Sequence, residues 1–152
     1  MQQAIAQAEQ GNFDALRDWG HAKVYVRMQW LMLKQTQAED FVIATGVQCS
    51  VRQFIKKTAA VLNMNMRWEG AGVDEVGYWN DQAVIKIDPR YFRSNEVETL
   101  LGDPSKAKQK LGMVADIKLD QMIKELAVAD LYEAKKHALL KEHDYYVSVN
   151  VE

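Results

Sequence analysis

The feature that most constrains the fold is an amphipathic helix that begins at Ser50. Ser50 and Gln53 have the spacing of a capping box, in which the two side chains satisfy the first free backbone amides of a helix. The residues of one helix face then recur at regular spacing: Val51, Phe54, Ile55, Thr58, Ala59 and Leu62. Because such a stripe must be covered by other elements, the sequence predicts a packed domain.

A buried strand and a second helix are predicted before this helix. Residues 41–44 form a short apolar run, rich in β-branched side chains, which ends at Thr45 and Gly46. Such a run is typical of a strand buried on both faces of a parallel sheet. Residues 21 to about 35 are apolar nearly all round, which predicts a helix buried on more than one side. The alternation of strands and helices indicates an α/β or α+β class with one core.

Capping signals define two further helices. Asp103 and Pro104 open a helix over 105–111, because aspartate is favoured at the N-cap and proline at the first helical position, and Gly112 ends it. A longer helix runs from about Leu119 up to Leu140, with five residues facing inward: Met122, Ile123, Leu126, Ala127 and Leu131. The other predicted elements are a short helix over 4–8 stopped by Gly11, a polar turn over 11–20, strands over 64–69, 83–88 and 98–102, a loop over 70–80, and an extended tail over 145–151.

Composition excludes several classes of function. The 152 residues carry 19 basic and 21 acidic side chains, a net charge of -2, which gives no electrostatic reason to expect binding to nucleic acid or to an anionic membrane. The apolar runs are far shorter than the ~20 residues that a bilayer-spanning helix needs. The first residues lack the basic and apolar regions of a secretory signal. A lone Cys49 excludes an internal disulfide, which favours a reducing, cytoplasmic compartment.

Two groups of residues that resemble catalytic or metal-binding motifs favour ordinary structural roles. The three histidines, His21, His137 and His143, lack the spacing of metal ligands on one helix face, so no metal site is predicted. Tyr132 and Lys136 match the Tyr-x-x-x-Lys spacing of short-chain dehydrogenases. They fall in a charged stretch near the chain end, whereas a general acid must lie in a cleft, so this pair is not predicted to be catalytic.

Glycine and arginine patterns bear on nucleotide binding. Gly70 and Gly72 are followed by Glu75 where a dinucleotide fingerprint has its third glycine, so no nicotinamide site is predicted. Arg17 precedes a helix within a loop, and Arg93 follows an apolar strand. Arginines at such positions bind diphosphates through forked hydrogen bonds. The alternative, which composition alone favours, is that each arginine pairs with a surface carboxylate.

Four segments occur in the order in which a known family has them. Residues 11–26 contain the pattern Gly-Asn-x-x-x-x-Arg-Asp-Trp-Gly-x-Ala-x-x-Tyr-Val. The others are 40–46 (Asp-Phe-Val-Ile-Ala-Thr-Gly), 50–54 (Ser-Val-Arg-Gln-Phe) and 88–107, which begins Asp-Pro-Arg-Tyr-Phe-Arg. On these motifs, the chain from about Gly11 to about Leu140 closely resembles the C-terminal part of the GDP-mannose 4,6-dehydratase family, which are extended short-chain dehydrogenases/reductases.

The resemblance implies an α/β fold in which the chain is the nucleotide-sugar-binding lobe and lacks most of the Rossmann domain. In this family of lyases, NADP oxidises the hexose at C4, water is eliminated across C5 and C6, and the hydride returns to C6. The glycine-rich cofactor loop and the catalytic Thr, Glu, Tyr and Lys belong to a portion that precedes the matched segments. The resemblance therefore implies that this chain alone binds no NADP, holds no catalytic residue and has no turnover.

The same resemblance assigns three substrate-binding residues. Arg17 and Arg93 match the two family arginines that contact the diphosphate, and Glu96 matches the carboxylate that accepts from the ribose hydroxyls. Two guanidiniums suit two diphosphate charges, so weak binding of GDP-mannose or GDP is expected. Ser94 stands where the family has proline, which loosens the loop around Arg93. Lys118 stands where the family has a Thr-type helix cap.

The expected organisation and partners follow from the same resemblance. Residues 1–10 are interpreted as the remnant of an N-terminal helix, 11–142 as the substrate-binding lobe and 143–152 as a C-terminal tail. Because residues 41–44 pair in the family with strands of the nucleotide-binding half, they are expected to present an unpaired edge here. We therefore expect self-association or a complex with a complementary dehydratase chain. The alternative function is a non-catalytic fragment that docks on a partner chain.

Overall fold

The computed structural model describes residues 8–10, 12–92 and 99–145. Its strands are β1 Ala8–Gln10, β2 Leu16–Asp18, β3 Gln48–Ser50, β4 Met66–Glu69, β5 Val76–Trp79, β6 Gln82–Ile87 and β7 Thr99–Leu100. Its helices are α1 Ala22–Leu33, α2 Val51–Val61, α3 Ser105–Leu111 and α4 Leu119–Glu142, with a 3₁₀ turn at Gly72–Asp74. These elements confirm the predicted α/β class.

The strands form two small mixed sheets. The larger sheet has the order β1-β6-β5-β4, in which β1 is parallel to β6 and the other pairs are antiparallel. The smaller sheet has the order β3-β2-β7, with β2 in the centre, antiparallel to β3 and parallel to β7. Since α1 lies in the chain between β2 and β3, the smaller sheet joins residues that are far apart in sequence.

Helix α1 buries one side and exposes the other. Val24 and Met28 are 3% and 0% exposed and pack with Ala107 of α3 and with Met113. The prediction that this helix is buried on more than one side is wrong for this chain. Three of its large apolar side chains lie mostly in solvent, namely Val26 at 62%, Trp30 at 54% and Leu33 at 86% exposure. The described residues supply only one packing face for α1.

Residues 41–44 do not form the predicted strand. They have no ladder partner among the described residues, and Val42 is 52% exposed. Phe41 and Ile43 nevertheless pack against the core formed by α1 and α3. A Cβ placed on Gly102 would lie 2.4 Å from the Ala44 Cβ, so the two backbones run in close contact. The predicted burial on both faces is wrong as well, since each of these four residues is at least partly exposed. A strand needs a neighbour's amides and carbonyls, and pairing is not encoded within the run itself.

The predicted N-cap of α2 and the predicted C-terminal end of α3 are present. In α2 the Gln53 amide donates to Ser50 Oγ at 3.1 Å, and the Ser50 amide donates to Gln53 Oε1 at 3.0 Å, which confirms the capping box. Helix α3 ends at Gly112, whose φ of +62° is left-handed. The N-terminus of α3 is shifted by one residue from the prediction. Pro104 is the N-cap, and the Asp103 carboxylate accepts from the next backbone amide at 2.9 Å.

Helix α4 is buried only in its first turns. Met122, Ile123 and Ala127 are at most 7% exposed, as predicted, and the helix packs on α2. The inward placement of Leu126 and Leu131 is wrong, since they are 47% and 38% exposed. Helix α2 has 11 residues and α4 has 24, so α4 extends beyond the helix that packs on it. Its N-cap, Lys118, makes no side-chain capping bond, in agreement with the departure from a Thr-type cap.

Four strands differ from the sequence prediction. β2 lies within the predicted polar turn over 11–20, β3 was not predicted, and β5 lies within the predicted loop over 70–80. β1 occupies the end of the predicted first helix, whose other residues lie outside the described part of the chain, as do residues 146–151 of the predicted tail. None of the helices in the described ranges combines the length and the apolar character that a bilayer crossing requires.

Candidate functional site

Arg17 lies in the centre of the smaller sheet. The prediction that it occupies a loop is wrong, because Arg17 is the middle residue of β2, in register with Cys49 of β3 and Leu100 of β7. Its side chain is half-buried, and Nη1 donates to the Leu16 carbonyl oxygen at 2.9 Å. A strand with neighbours on both sides holds the guanidinium more rigidly than a loop does.

The other two predicted substrate-binding residues, Arg93 and Glu96, lie outside the described residues, as does Ser94. The residues that follow them in the chain are nevertheless described. Thr99, the first residue described after them, pairs with Leu16 in the parallel ladder between β7 and β2. The ladder therefore brings the chain that follows residues 93–98 alongside the strand that carries Arg17.

Asp18, the neighbour of Arg17, holds the loop before β3. Its Oδ1 accepts from the Thr45 amide at 2.9 Å and from Thr45 Oγ1 at 2.6 Å, and its Oδ2 accepts from the Gly46 amide at 2.9 Å. Gly46 has a φ of +74°, a left-handed conformation that glycine adopts without strain. We refer to Asp18, Thr45 and Gly46 as the Asp18 clamp. It joins the end of β2 to the beginning of β3.

Trp19 and Gly20 complete the turn from β2 into α1. The Trp19 indole Nε1 donates to the Cys49 carbonyl oxygen at 2.9 Å, and its ring centroid lies 4.5 Å from that of Phe54. A Cβ on Gly20 would lie 2.2 Å from the Tyr25 hydroxyl oxygen, so glycine is needed for this close approach. Burial, followed by the nearby Asp18 charge, raises the pKa of Tyr25, which keeps the phenol neutral.

Arg52, from the Ser-Val-Arg-Gln-Phe segment, ties α2 to the larger sheet. Its guanidinium bonds both Glu75 oxygens, with an Nη2–Oε2 distance of 2.8 Å, and its Nε lies 2.9 Å from Asp14 Oδ1. The guanidinium also lies 5.6 Å from the Phe13 ring centroid and 5.2 Å from the Trp68 ring centroid. Hydrogen bonds to Glu75 and Asp14 raise the pKa of Arg52, and Arg52 lowers that of Asp14. These neutralised charges point to a structural role.

The residues that were not predicted to be catalytic or metal-binding lie outside any cleft or are held in place by other contacts. Tyr132 is 68% exposed on α4, and Lys136 pairs with the Glu133 carboxylate at 3.2 Å, so neither lines a cleft. His21 caps α1 by accepting from a backbone amide at 3.0 Å. Burial raises the pKa of the Cys49 thiol, which is 4% exposed. His21 therefore has a capping role and Cys49 a packed position, whereas Tyr132 and Lys136 lie on the surface of α4.

A cavity of about 180 Å³ lies between α1, α3 and residues 41–45. Its lining includes the buried side chains of Val24 and Met28 and the exposed residues Lys108 and Lys118. Sequence reasoning found neither this cavity nor the Asp18 clamp. The clamp joins residues 27 and 28 positions apart, so no local spacing signals it.

Comparison with known proteins shows where similar chains occur. The model of a family described as GDP-mannose 4,6 dehydratase matches residues 2–126. A GDP-mannose 4,6-dehydratase from Vibrio cholerae is 58% identical over 154 residues, which cover 93% of this chain and 41% of that relative. The human GDP-mannose 4,6 dehydratase is 44% identical over 123 residues, which cover 80% of this chain and 33% of that relative. The chain thus spans about two fifths or less of the length of these relatives.

Solved structures share the fold. RMD from Pseudomonas aeruginosa, determined with NADPH, superposes with a TM-score of 0.60 at 16% identity. The match covers 85% of this chain and 36% of the RMD chain. A UDP-glucose 4-epimerase from Thermotoga maritima, determined with UDP-glucose, has a TM-score of 0.60 at 22% identity. The match covers 88% of this chain and 36% of the epimerase chain. At these identities the likeness concerns the fold alone.

Proposed function

Because the chain belongs to the GDP-mannose 4,6-dehydratase family, we propose that it forms the part of such an enzyme that holds the GDP-sugar. Arg17 binds the diphosphate in this proposal, together with Arg93, and Glu96 accepts from the ribose hydroxyls. The observation that carries the proposal is the place of Arg17 in β2, flanked by β3 and β7. A guanidinium held on a paired strand offers fixed donors to a phosphate oxygen.

The reaction proposed for the whole enzyme is dehydration of GDP-mannose to the 4-keto-6-deoxy sugar. NADP is the cofactor that the family resemblance implies, and the described residues do not fit it. Gly70 precedes the 3₁₀ turn Gly72–Asp74, which leads into an antiparallel strand. A dinucleotide instead needs a glycine turn between a parallel strand and the N-terminus of a helix. We assign no NADP-binding residue and no catalytic residue to the described part of this chain.

Binding of GDP tests the proposal. In calorimetric titrations we expect weak binding by the unmodified chain and at least about tenfold weaker binding by Arg17→Ala and by Arg93→Ala, because each loses a charge-assisted hydrogen bond to the diphosphate. Arg67→Ala is the matched control. Arg67 also lies on a strand, but in the larger sheet, where it pairs with Glu69 and Asp81. Equal binding by all four proteins would favour the alternative of ordinary surface ion pairs.

The same samples, supplied with GDP-mannose and NADP, are expected to yield no 4-keto-6-deoxy sugar. Product formation would contradict this expectation and would return attention to Tyr132. The binding measurement and the activity measurement test different claims. A substrate-binding lobe is expected to bind GDP without forming product.

A second candidate function is docking on another chain, either a complementary dehydratase polypeptide or a second copy. The observations that favour it are the exposed apolar side chains of α1 and the segment 41–44, which pairs with none of the strands that the structure describes. Exposed edges and contiguous apolar surface are typical of association sites. We propose that a docked chain covers Val42 and Trp30.

Size exclusion with light scattering tests this association. We expect a species larger than a monomer at micromolar concentration, and a shift toward monomer in Val42→Lys, because a charge at the centre of an apolar contact has no partner. Val73→Lys is the matched control, since Val73 is also exposed but lies in the 3₁₀ turn. A sharp monomer peak for the unmodified chain would exclude self-association and leave only the complementary chain to be tested by mixing.

A further inference from the structure

We propose that Asp18 is a positioning residue for the diphosphate site, acting through Arg17. This inference rests on the proposed role of Arg17 in GDP binding. The Asp18 clamp fixes the C-terminal end of β2, and that end determines the direction in which the Arg17 guanidinium is presented.

The clamp uses the whole carboxylate. Three donors approach it within 2.9 Å: the Thr45 amide, the Thr45 hydroxyl and the Gly46 amide. Both carboxylate oxygens are engaged, so the side chain has one defined orientation. Hydrogen bonds to a charged acceptor are the stronger class of protein hydrogen bond, and three of them on one group form a rigid junction.

The sheet itself leaves the end of β2 incompletely held. Among the described residues, the ladder with β7 covers Leu16 and Arg17, whereas Asp18 has its ladder partner, Gln48, in β3 alone. The Asp18 clamp therefore supplies, through a side chain, the restraint that the β7 ladder does not extend to this residue. The Arg17 Nη1 donates to the carbonyl of Leu16, so the guanidinium direction depends on the backbone of β2.

Charge explains why an acidic residue can stand next to a phosphate-binding arginine. Successive side chains of a strand point to opposite faces, so the Asp18 carboxylate is directed away from the face of Arg17. The two amides and the hydroxyl of the Asp18 clamp engage both of its oxygens. The carboxylate thus holds the strand without opposing an anion bound on the other face.

The experiment is GDP titration calorimetry on single and double variants. Asp18→Asn keeps the side-chain size but turns one acceptor into a donor that faces the Gly46 amide. We expect about fivefold weaker GDP binding from the loss of one such bond. Thr45→Val removes the hydroxyl, which donates to Asp18 Oδ1 and also accepts from the Val47 amide at 3.2 Å. It is expected to weaken GDP binding in the same direction, whereas Thr45→Ser, which retains the hydroxyl, restores binding. Asp116→Asn is the control, since Asp116 pairs with Arg27 at the surface.

A double-mutant cycle separates positioning from a general loss of structure. In an Arg17→Lys background, which keeps a charge but not the forked guanidinium, Asp18→Asn is expected to change GDP affinity less than twofold. The same fivefold loss in both backgrounds would overturn the inference, because Asp18 would then act independently of Arg17. Unchanged or tighter binding by Asp18→Asn in the natural background would also overturn it. Absence of GDP binding by the unmodified chain would instead refute the proposed function, and this inference with it.

Discussion

Replacing Arg52 with methionine is expected to lower the free energy of unfolding by about 3 kcal/mol, since removing one partner of a buried ion pair leaves the other charge uncompensated. The Arg52 side chain is 21% exposed and that of Glu75 is 11% exposed, so Glu75 is left without a counter-ion in a largely buried place. The variant also loses the contact between the guanidinium and the rings of Phe13 and Trp68. Urea denaturation followed by tryptophan fluorescence measures the change.

Two controls make the Arg52 result specific. Arg67→Met removes an exposed ion pair and is expected to cost less than about 1 kcal/mol. Adding Glu75→Leu to Arg52→Met is expected to recover much of the loss, because the uncompensated carboxylate is gone. A loss below about 1 kcal/mol for Arg52→Met would show that the pair contributes little.

The stability that the Arg52–Asp14 pair contributes is expected to depend on pH. Arg52 lowers the pKa of Asp14, so the stability that this pair contributes is present above the unfolded-state pKa of about 3.9 and is lost as pH falls through the lower folded-state value. The stability difference between the natural chain and Arg52→Met is therefore expected to shrink from pH 5 toward about pH 2. A difference that is constant over this range would contradict the role of Asp14.

Met28→Ala is expected to lower the free energy of unfolding by about 2–5 kcal/mol, the range for truncation of a large buried side chain. Met28 is 0% exposed and lies between α1 and α3. It also borders the cavity of about 180 Å³, so its removal enlarges a space that the surroundings already fail to fill. Thermal and urea unfolding of the purified chain measure the loss.

Leu33→Ala on the same helix is the matched comparison. At concentrations where the chain is monomeric, the expected change is within about 0.5 kcal/mol, because Leu33 is 86% exposed. Equal losses for the two variants in the monomer would contradict the one-sided burial of α1.

Features that depend on residues close in sequence were predicted more completely than features that depend on distant pairing. The capping box of Ser50 and Gln53 and the end of α3 at Gly112 were predicted because side chain and backbone meet within a few residues. The strand β5 was missed although a local signal existed. Asn80 and Asp81 have φ values of +48° and +62°, and these are residue types that favour the tight turn of a hairpin.

The candidate site depended on longer-range pairing and was predicted less completely. Arg17 was identified through its motif, but its strand has three residues and exists only through partners about 30 and 80 positions away. Asp18 stands in the same motif, yet nothing in its spacing from Thr45 indicates a hydrogen bond. Burial of α1 was overestimated because an apolar helix face is buried only where another element packs against it. The sequence of α1 does not show which elements those are.

The separation of β2 and β3 in the chain has a consequence for the order of folding. Closing a loop of about 30 residues, such as 19–47, costs about 3 kcal/mol of chain entropy, which a three-residue ladder recovers only in part. The pairing therefore becomes favourable once α1 has docked and Phe41 and Ile43 pack against its buried side, because these contacts shorten the effective loop. The smaller sheet is then expected to form late and to open early, so hydrogen exchange at Arg17 and Cys49 follows the docking of α1. A ligand held there would slow the opening of the whole lobe.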